Sequence, residues 1–488
     1  MSSSTVALSV IFGIVGSGTV AGFFSRAHHK MDLEQWTVAG RGFGAVLVYL
    51  LMAGEVYTTF SFLGASGWAY SRGGPTLYIL AYLTLGYVIS FFILPPIWEM
   101  GKRYRLQTQS DFFRVRYGNE YLAAFVCMIG VLSFIPYVQL QLTGLGIIVQ
   151  IASFDSIGRA AAMTISTVLV AAFVYVGGIR AVAWVSVLKD ALMLLAAVSI
   201  GVALPQMYFG GAGKMFTALL QAHPRHLTMP GATQNLGHNW FISTVLLTSC
   251  GLYMWPHSFG STFTARSGET LRRNAIVMPL YTTTIAFIFM AGFTALLVLP
   301  PLSNGDLALL TLVRKSFPPW LLGIVGGAGA LTAMVPSAIF LLTASTLFVK
   351  NLFRPLFAPR LKDEQVSQLA RLMVVALSLC SLYLAIYSSA TLVSMLLLGY
   401  AGVSQLFPGV VLGLYWERTN PMGVFAGIFA GVGIAAVLFF THREPWFGWS
   451  AGFLGLCVNS LIVVFVSALR PAAEKVGAGV STNLQVIR

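Results

Sequence analysis

The chain reads as an all-α integral membrane protein with thirteen transmembrane helices. Three observations predict this. Of its 488 residues 57% are hydrophobic and only 9% charged, with mean hydropathy +0.81, whereas soluble domains carry about 25% charged residues. Apolar runs of roughly 18 or more residues, each able to cross about 30 Å of hydrocarbon, recur along almost the whole length. The net charge of +14 is divided unevenly between alternate loops.

The spans fall near 5–24, 43–66, 76–96, 119–152, 160–177, 183–208, 239–264, 275–300, 317–348, 370–388, 391–415, 421–441 and 449–468. The first lacks a basic leader, and Arg26 and Lys30 follow its apolar run. That is the pattern of a retained helix entering from outside rather than a signal peptide. The second contains Glu55 with Tyr57, Thr58, Thr59 and Ser61, followed by the glycine-rich GASG at 64–67. An ionised carboxylate at the bilayer centre costs roughly 2.5–3.5 kcal/mol, so Glu55 must be protonated, paired or facing a water-filled cavity. The fourth span carries Gln139 and Gln141 after Pro136, and the sixth carries Lys189 and Asp190. The seventh holds Pro256 and His257 mid-membrane, and the ninth has Gly323, Gly326, Gly327 and Gly329. The longest polar stretches, around 209–238 and 349–371, are loop-sized, so no soluble domain is expected.

With these spans, twenty-one of the 29 Lys and Arg residues lie in the loops of one side, among them Lys102, Arg103, Arg105, Arg114 and Arg116. Seven lie on the other, and Lys189 is inside a span. The positive-inside rule then puts the N-terminus outside and the C-terminal tail in the cytoplasm. The basic balance is topological, and no nucleic-acid partner is expected. Cys127, Cys250, Cys380 and Cys457 all fall within spans without a CxxC, which reads as small core residues rather than a metal or disulfide site.

The second and seventh spans look interrupted, and they are five apart. Gly and Pro interruptions at matching places in two halves point to a transporter site, because unwound backbone offers free carbonyl and N–H groups and is tolerated only inside protein or beside a cavity. An odd number of spans per unit inverts the second copy. The expected organisation is a peripheral first helix (1–25), an inverted five-plus-five repeat (spans 2–6 over 43–208, spans 7–11 over 239–415), two peripheral spans (419–470) and a cytoplasmic tail (471–488). Ordinary kinked helices are the alternative. An enzyme is not expected: no HExxH or GxSxG occurs, and His28 and His29 sit together without carboxylate spacing. A sensor is disfavoured because the tail after Arg470 is short.

Several segments then carry a family likeness: AGRGFG at 39–44, FLGASGWAY at 62–70, QTQSDFFRVRYG at 107–118, YVGGIRAVAW at 175–184 and STLF at 345–348. With them the chain resembles the sodium:solute symporter family, thirteen-span proteins with the inverted-repeat architecture of the leucine transporter. GEVYTT at 54–59, YVQLQLTGLG at 137–146, VLKDALM at 187–193 and WPH at 255–257 are more similar to its bacterial monocarboxylate permease branch. The resemblance implies uptake of pyruvate, lactate or acetate by alternating access, a bacterial inner-membrane location, a monomer in contact with membrane lipid, and no cofactor. It also implies a sodium site made by second-span carbonyls near Gly54 and Tyr57 and by ninth-span hydroxyls. At those hydroxyl positions this chain has Val335 and Pro336. Valine offers no oxygen to a hard cation, and proline has neither hydroxyl nor N–H. Thr332 and Ser337 could substitute only with a local shift.

Against that background Glu55 reads as a proton-coupling or cation-binding group, or else as a structural carboxylate tied to unwound backbone. The expected coupling ion is H+ through Glu55; sodium-coupled uptake of a neutral solute or amino acid is the alternative. For Lys189 and Asp190 two readings stand side by side. Adjacent helical residues point about 100° apart, so Lys189 snorkels to the interface while Asp190 pairs locally, or Asp190 serves ion exit. His257 is a donor to a substrate carboxylate or a hydrogen-bonded core residue. Tyr57, Thr58, Thr59, Tyr253 and Trp255 are candidate substrate walls, with packing the competing reading for each aromatic. Gln139 and Gln141 need partners in the membrane; one is expected in the substrate cavity, but not both. The ninth-span glycines are read as a close-packing face.

Overall fold

The structure is a computed structural model and describes residues 2–24, 45–233 and 235–470. Side chains 21–24, 45–48, 50, 51, 175–181, 183 and 184 within it are outside the description. Arg26, His28, His29, Lys30, Arg41, the 39–44 motif and the 471–488 tail lie beyond the described residues.

In chain order the main helices are α1 (Ser3–Phe24), α2 (Ala45–Val56), α3 (Ala65–Ser71), α4 (Tyr78–Tyr104), α5 (Gln109–Tyr117), α6 (Glu120–Ala152) and α7 (Arg159–Phe209). They continue as α8 (Ala212–Ala222), α9 (His238–Gly251), α10 (Pro256–Ser261), α11 (Gly268–Thr282), α12 (Ile285–Val298), α13 (Ala308–Ser316) and α14 (Pro319–Leu347). The last five are α15 (Asp363–Tyr387), α16 (Leu392–Val403), α17 (Phe407–Tyr415), α18 (Pro421–Phe440) and α19 (Ala451–Leu469). The described residues contain no strand, only an isolated bridge between Trp446 and Trp449. Helix is what hydrocarbon demands, since every backbone N–H and C=O is satisfied within the segment.

Ten helical segments among the described residues are long and apolar enough to cross a membrane, three fewer than expected. The other three are the second and seventh spans, which are broken, and the fifth, whose described apolar part is Arg159–Val174. The loop expected around Arg180 is helical backbone within the 51-residue α7. A straight helix of that length would reach about 77 Å. Yet both ends of α7 lie against α13: Asp155, just before it, pairs with Arg314 at 2.8 Å, and Tyr208 bonds Ser316 at 2.9 Å. The chain therefore doubles back between Arg159–Val174 and Val185–Phe209.

Contacts between loops define two faces. Loops near residues 72–77, 153–158, 223–233, 299–318 and 388–391 meet one another on the first. Residues 105–119, 265–267, 348–363 and 413–419 meet on the second. Between them the outer helices present Phe92, Leu195, Leu280, Phe429, Leu461 and Phe465, each more than 60% exposed. Apolar exposure on that scale marks a lipid-facing belt. Cys380 and Cys457 belong to this exposed surface, which corrects their reading as core residues; Cys127 is buried and donates to Leu347 O at 3.2 Å.

The glycine face of α14 packs as expected. A Cβ at Gly323 would lie 2.7 Å from Val10, and at Gly326 and Gly327 it would meet Ile11 and Ile14 at 2.8 and 2.7 Å. Helix α1 thus approaches α14 at backbone distance, as small residues allow in membranes.

Candidate functional site

Two broken helices meet at the centre of the bundle. In the first, α2 stops at Val56, residues 57 and 58 bend, and a π-helical turn Phe60–Gly64 leads into α3. The hydroxyls of this sequence take over the freed backbone. Ser61 donates to Val56 O at 2.7 Å and accepts from Thr58 N–H at 2.9 Å, while Thr58 Oγ1 accepts from Phe60 N–H at 3.2 Å. Gln141 Oε1 on α6 accepts from Thr59 N–H at 3.2 Å and from its hydroxyl at 2.6 Å. The Tyr57 hydroxyl bonds Thr284.

The second break separates α9 from α10. Pro256 begins α10, and Trp255 before it is extended, with φ −60° and ψ 129°, the conformation a following proline favours. Gln109 Nε2 donates to Met254 O at 2.9 Å. A third interruption, between α11 and α12, was not anticipated. Thr282, Thr283 and Thr284 each donate to their own backbone three residues earlier, a pattern that competes with helical pairing.

Glu55 joins the two breaks. Its Oε2 accepts from Ser258 Oγ at 2.8 Å and lies 4.0 Å from His257 Nε2. Both side chains are nearly fully enclosed, 8% exposed for Glu55 and 2% for His257. The His257 ring is 4.6 Å from Phe340 and 5.5 Å from Phe134, and its Nδ1 has no partner. Two cavities share this pair. One, lined by Tyr82, Tyr137, Tyr253, Trp255 and Tyr400, is central; the other runs past Ser261, Thr343 and Thr346 to Gln107 and Thr108 at the second face. From Tyr82 in the cavity wall, Tyr78, Trp240 and Trp68 continue ring against ring at 5.4 to 5.8 Å towards the first face.

Of the expected substrate residues, Tyr253, Trp255 and His257 line the central cavity. Tyr57, Thr58 and Thr59 are spent on the first break instead. Neither glutamine lines either cavity, which corrects the expectation for one of them. Gln139 donates to Leu384 O on α15 at 3.3 Å, and Gln141 holds Thr59. Fourth-span polarity is used to satisfy backbone.

The residues of the implied sodium site take other partners. Thr332 donates to Gly329 O at 2.6 Å and Ser337 to Ala333 O at 2.7 Å, while the two hydroxyl positions of the implied site are Val335 and Pro336. Lys189 does not snorkel. It is fully buried, and its Nζ donates to Gly54 O at 2.5 Å and to Tyr57 O at 3.2 Å. It also pairs with Asp190 Oδ1 at 3.1 Å, since the long lysine chain bridges the angle that separates neighbouring residues on a helix. Asp190 accepts from Tyr281 Oη at 3.4 Å as well. The residues present do not fit a sodium ion at this position.

Sequence reasoning missed Ser258, Tyr82, Tyr137 and Tyr400. Ser258 directly follows His257 inside the break and was within reach. The tyrosines carry no local signal, because only packing separates a cavity wall from any other buried aromatic.

Comparison with known proteins agrees with this architecture. The profile of the sodium:solute symporter family matches residues 36–431. The chain is 43% identical over 487 residues to "Uncharacterized symporter YhjB" of Bacillus subtilis (strain 168), covering 97% of this chain and 99% of that one. It is 26% identical over 479 residues to a "Monocarboxylate transport permease protein" of Rhizobium johnstonii, covering 94% and 96%. Among solved structures, a Na+-coupled sialic acid symporter superposes with a TM-score of 0.79 at 17% identity, covering 96% of this chain and 99% of that one, which shows the shared leucine-transporter-type fold. The chain belongs to the sodium:solute symporter family, whose members are membrane transporters and not enzymes.

Proposed function

We propose that the protein imports small monocarboxylates of the pyruvate, lactate or acetate type by alternating access, coupled to protons through Glu55. The carrying observation is the position of Glu55: an enclosed carboxylate held by Ser258, facing His257, and shared by the central cavity and the path to the second face. Intramembrane carboxylates in such places mark ion and proton pathways. His257 and the aromatic walls suit a small organic anion with one carboxylate and little else to recognise. The permease of Rhizobium johnstonii supports the substrate class.

In this reading the second face, which carries most of the loop Lys and Arg, is cytoplasmic, the N-terminus is outside, and the membrane is the bacterial cell membrane. The inverted five-plus-five repeat is the scaffold that rocks around the two breaks. The path from Glu55 to Gln107 then corresponds to an inward-facing form. A sodium-coupled carrier of a neutral solute is the second reading; the family's name and the Na+-coupled sialic acid symporter favour its coupling ion, not its solute.

The test is uptake into liposomes containing the purified protein. Pyruvate or acetate should accumulate under an inward proton gradient in sodium-free medium. A strict sodium requirement together with a fully active Glu55→Gln protein would overturn the coupling.

A further inference from the structure

We infer that the ammonium of Lys189 is a built-in cation standing in place of the sodium ion between the broken second span and the ninth, so that the carrier closes without binding sodium. This rests on the chain being a transporter of this fold, and not on its substrate or on Glu55.

The donor count comes first. A lysine ammonium has three N–H donors and no acceptor. Here it meets three acceptors, Gly54 O, Tyr57 O and Asp190 Oδ1. Buried charge persists only when paired and fully hydrogen-bonded, and Lys189, with no exposed surface, meets that condition. The two carbonyls are those which the break in α2 makes available. They are also the two that would face a sodium ion, so a second cation on the same oxygens would be repelled by the first.

The fold also leaves room for the ammonium. Gly54 has no Cβ; one built there would lie 3.1 Å from Lys189 Nζ and 3.4 Å from Asp190 Oδ2. A hard cation needs several oxygens, and at the two positions of the facing helix α14 where the implied site has hydroxyls this chain has Val335 and Pro336. An ammonium already satisfied by three acceptors needs nothing from α14. Loss of ninth-span ligands and gain of a lysine opposite are thus two halves of one substitution.

The experiment reads thermal unfolding of the purified protein in choline, potassium or sodium chloride at constant ionic strength. Wild type should melt at the same temperature in all three. Lys189→Ala should melt lower in choline and recover saturably with sodium or methylammonium, which can reoccupy the vacated oxygens. A saturable, sodium-specific rise in the wild type overturns the inference. So does a Lys189→Ala protein that melts like wild type in choline, and so does one that melts low and responds to no small cation, which marks a purely structural lysine. Should Lys189→Ala not be recovered folded, Lys189→Thr, whose hydroxyl adds an oxygen beside Asp190, is read in the same way, and the wild-type result stands without any variant. None of these curves depends on uptake, so failure of the monocarboxylate or proton proposal leaves them unchanged.

Discussion

The two broken spans meet at Glu55 and are held open by different chemistry. The first is polar and shared. Ser61 and Thr58 bond its backbone from within, while Gln141, Thr284 and Lys189 reach it from three other stretches of chain. The second is aromatic and proline-set: Pro256 removes one donor, Gln109 donates to Met254 O, and Trp255 packs tilted on Tyr137 and edge-on to Tyr400 at 4.7 and 5.4 Å. The difference teaches a division of labour. Under the proposed function, the first break is where charge would be handled and the second where the organic body of the solute would rest, with Glu55 and Ser258 as the link.

Beyond the Lys189 series, four substitutions test how differently the two breaks work. The largest effect is expected for Glu55→Gln. It should abolish proton-driven accumulation, so that internal solute rises only to the external concentration, measured in the same liposomes. Equal accumulation by the variant would remove charge handling from the first break.

Next is Trp255→Ala at the second break. Truncating a buried aromatic typically costs about 3–5 kcal/mol, and the lost wall should raise the KM for solute while proton dependence is kept. A variant with unchanged KM would show that the aromatic wall does not touch the solute.

Gln141→Leu strands the Thr59 N–H and hydroxyl in the interior. An orphaned buried donor costs about 1–3 kcal/mol, which chemical denaturation or melting in lipid discs should register. The shift should be absent when Thr59→Val is combined with it only to the extent that the hydroxyl, rather than the N–H, carries the bond.

The smallest effect concerns Asp306, outside the spans at the first face. Its carboxylate accepts from Leu392 N–H at 3.0 Å, capping α16, and packs on Gly67 of α3, where a Cβ would lie 2.8 Å from Asp306 Oδ1. Burial pushes this carboxyl up to about 7 against the pull of Leu392 N–H and Arg159. The folded protein therefore holds a proton that the unfolded chain releases, and its contribution to stability, full at low pH, is lost as pH rises through about 7. Melting temperature should fall from about pH 4 to about pH 7 in the wild type, level off above that, and fall less in Asp306→Asn. Identical slopes would exclude this group.

Composition and the length of apolar runs sufficed for the class, because lipid leaves helices and closed barrels as the only spanning solutions. The breaks at Glu55 and Pro256 were visible for a related reason: hydroxyls, glycine and proline in an apolar run are costly unless backbone is being redirected. The third interruption at Thr283 was missed, since a threonine run inside a helix is compatible with outward hydroxyls. Gln139 and Gln141 were legible as polar groups needing partners, but not as partners of Leu384 O and Thr59.

Lys189 shows where the boundary lies. From the sequence it was already plain that a charge sits in the sixth span, that the side chains of Val335 and Pro336 offer a cation no oxygen, and that a carboxylate, Glu55, sits in the second span. Its direction was left open, because a lysine near a helix end can reach solvent or turn inward at similar local cost. Only the tertiary structure decided, by placing two unpaired carbonyls and Asp190 within reach of Nζ. Burial penalises an unmatched charge and rewards a matched one, and whether it is matched depends on residues more than a hundred positions away.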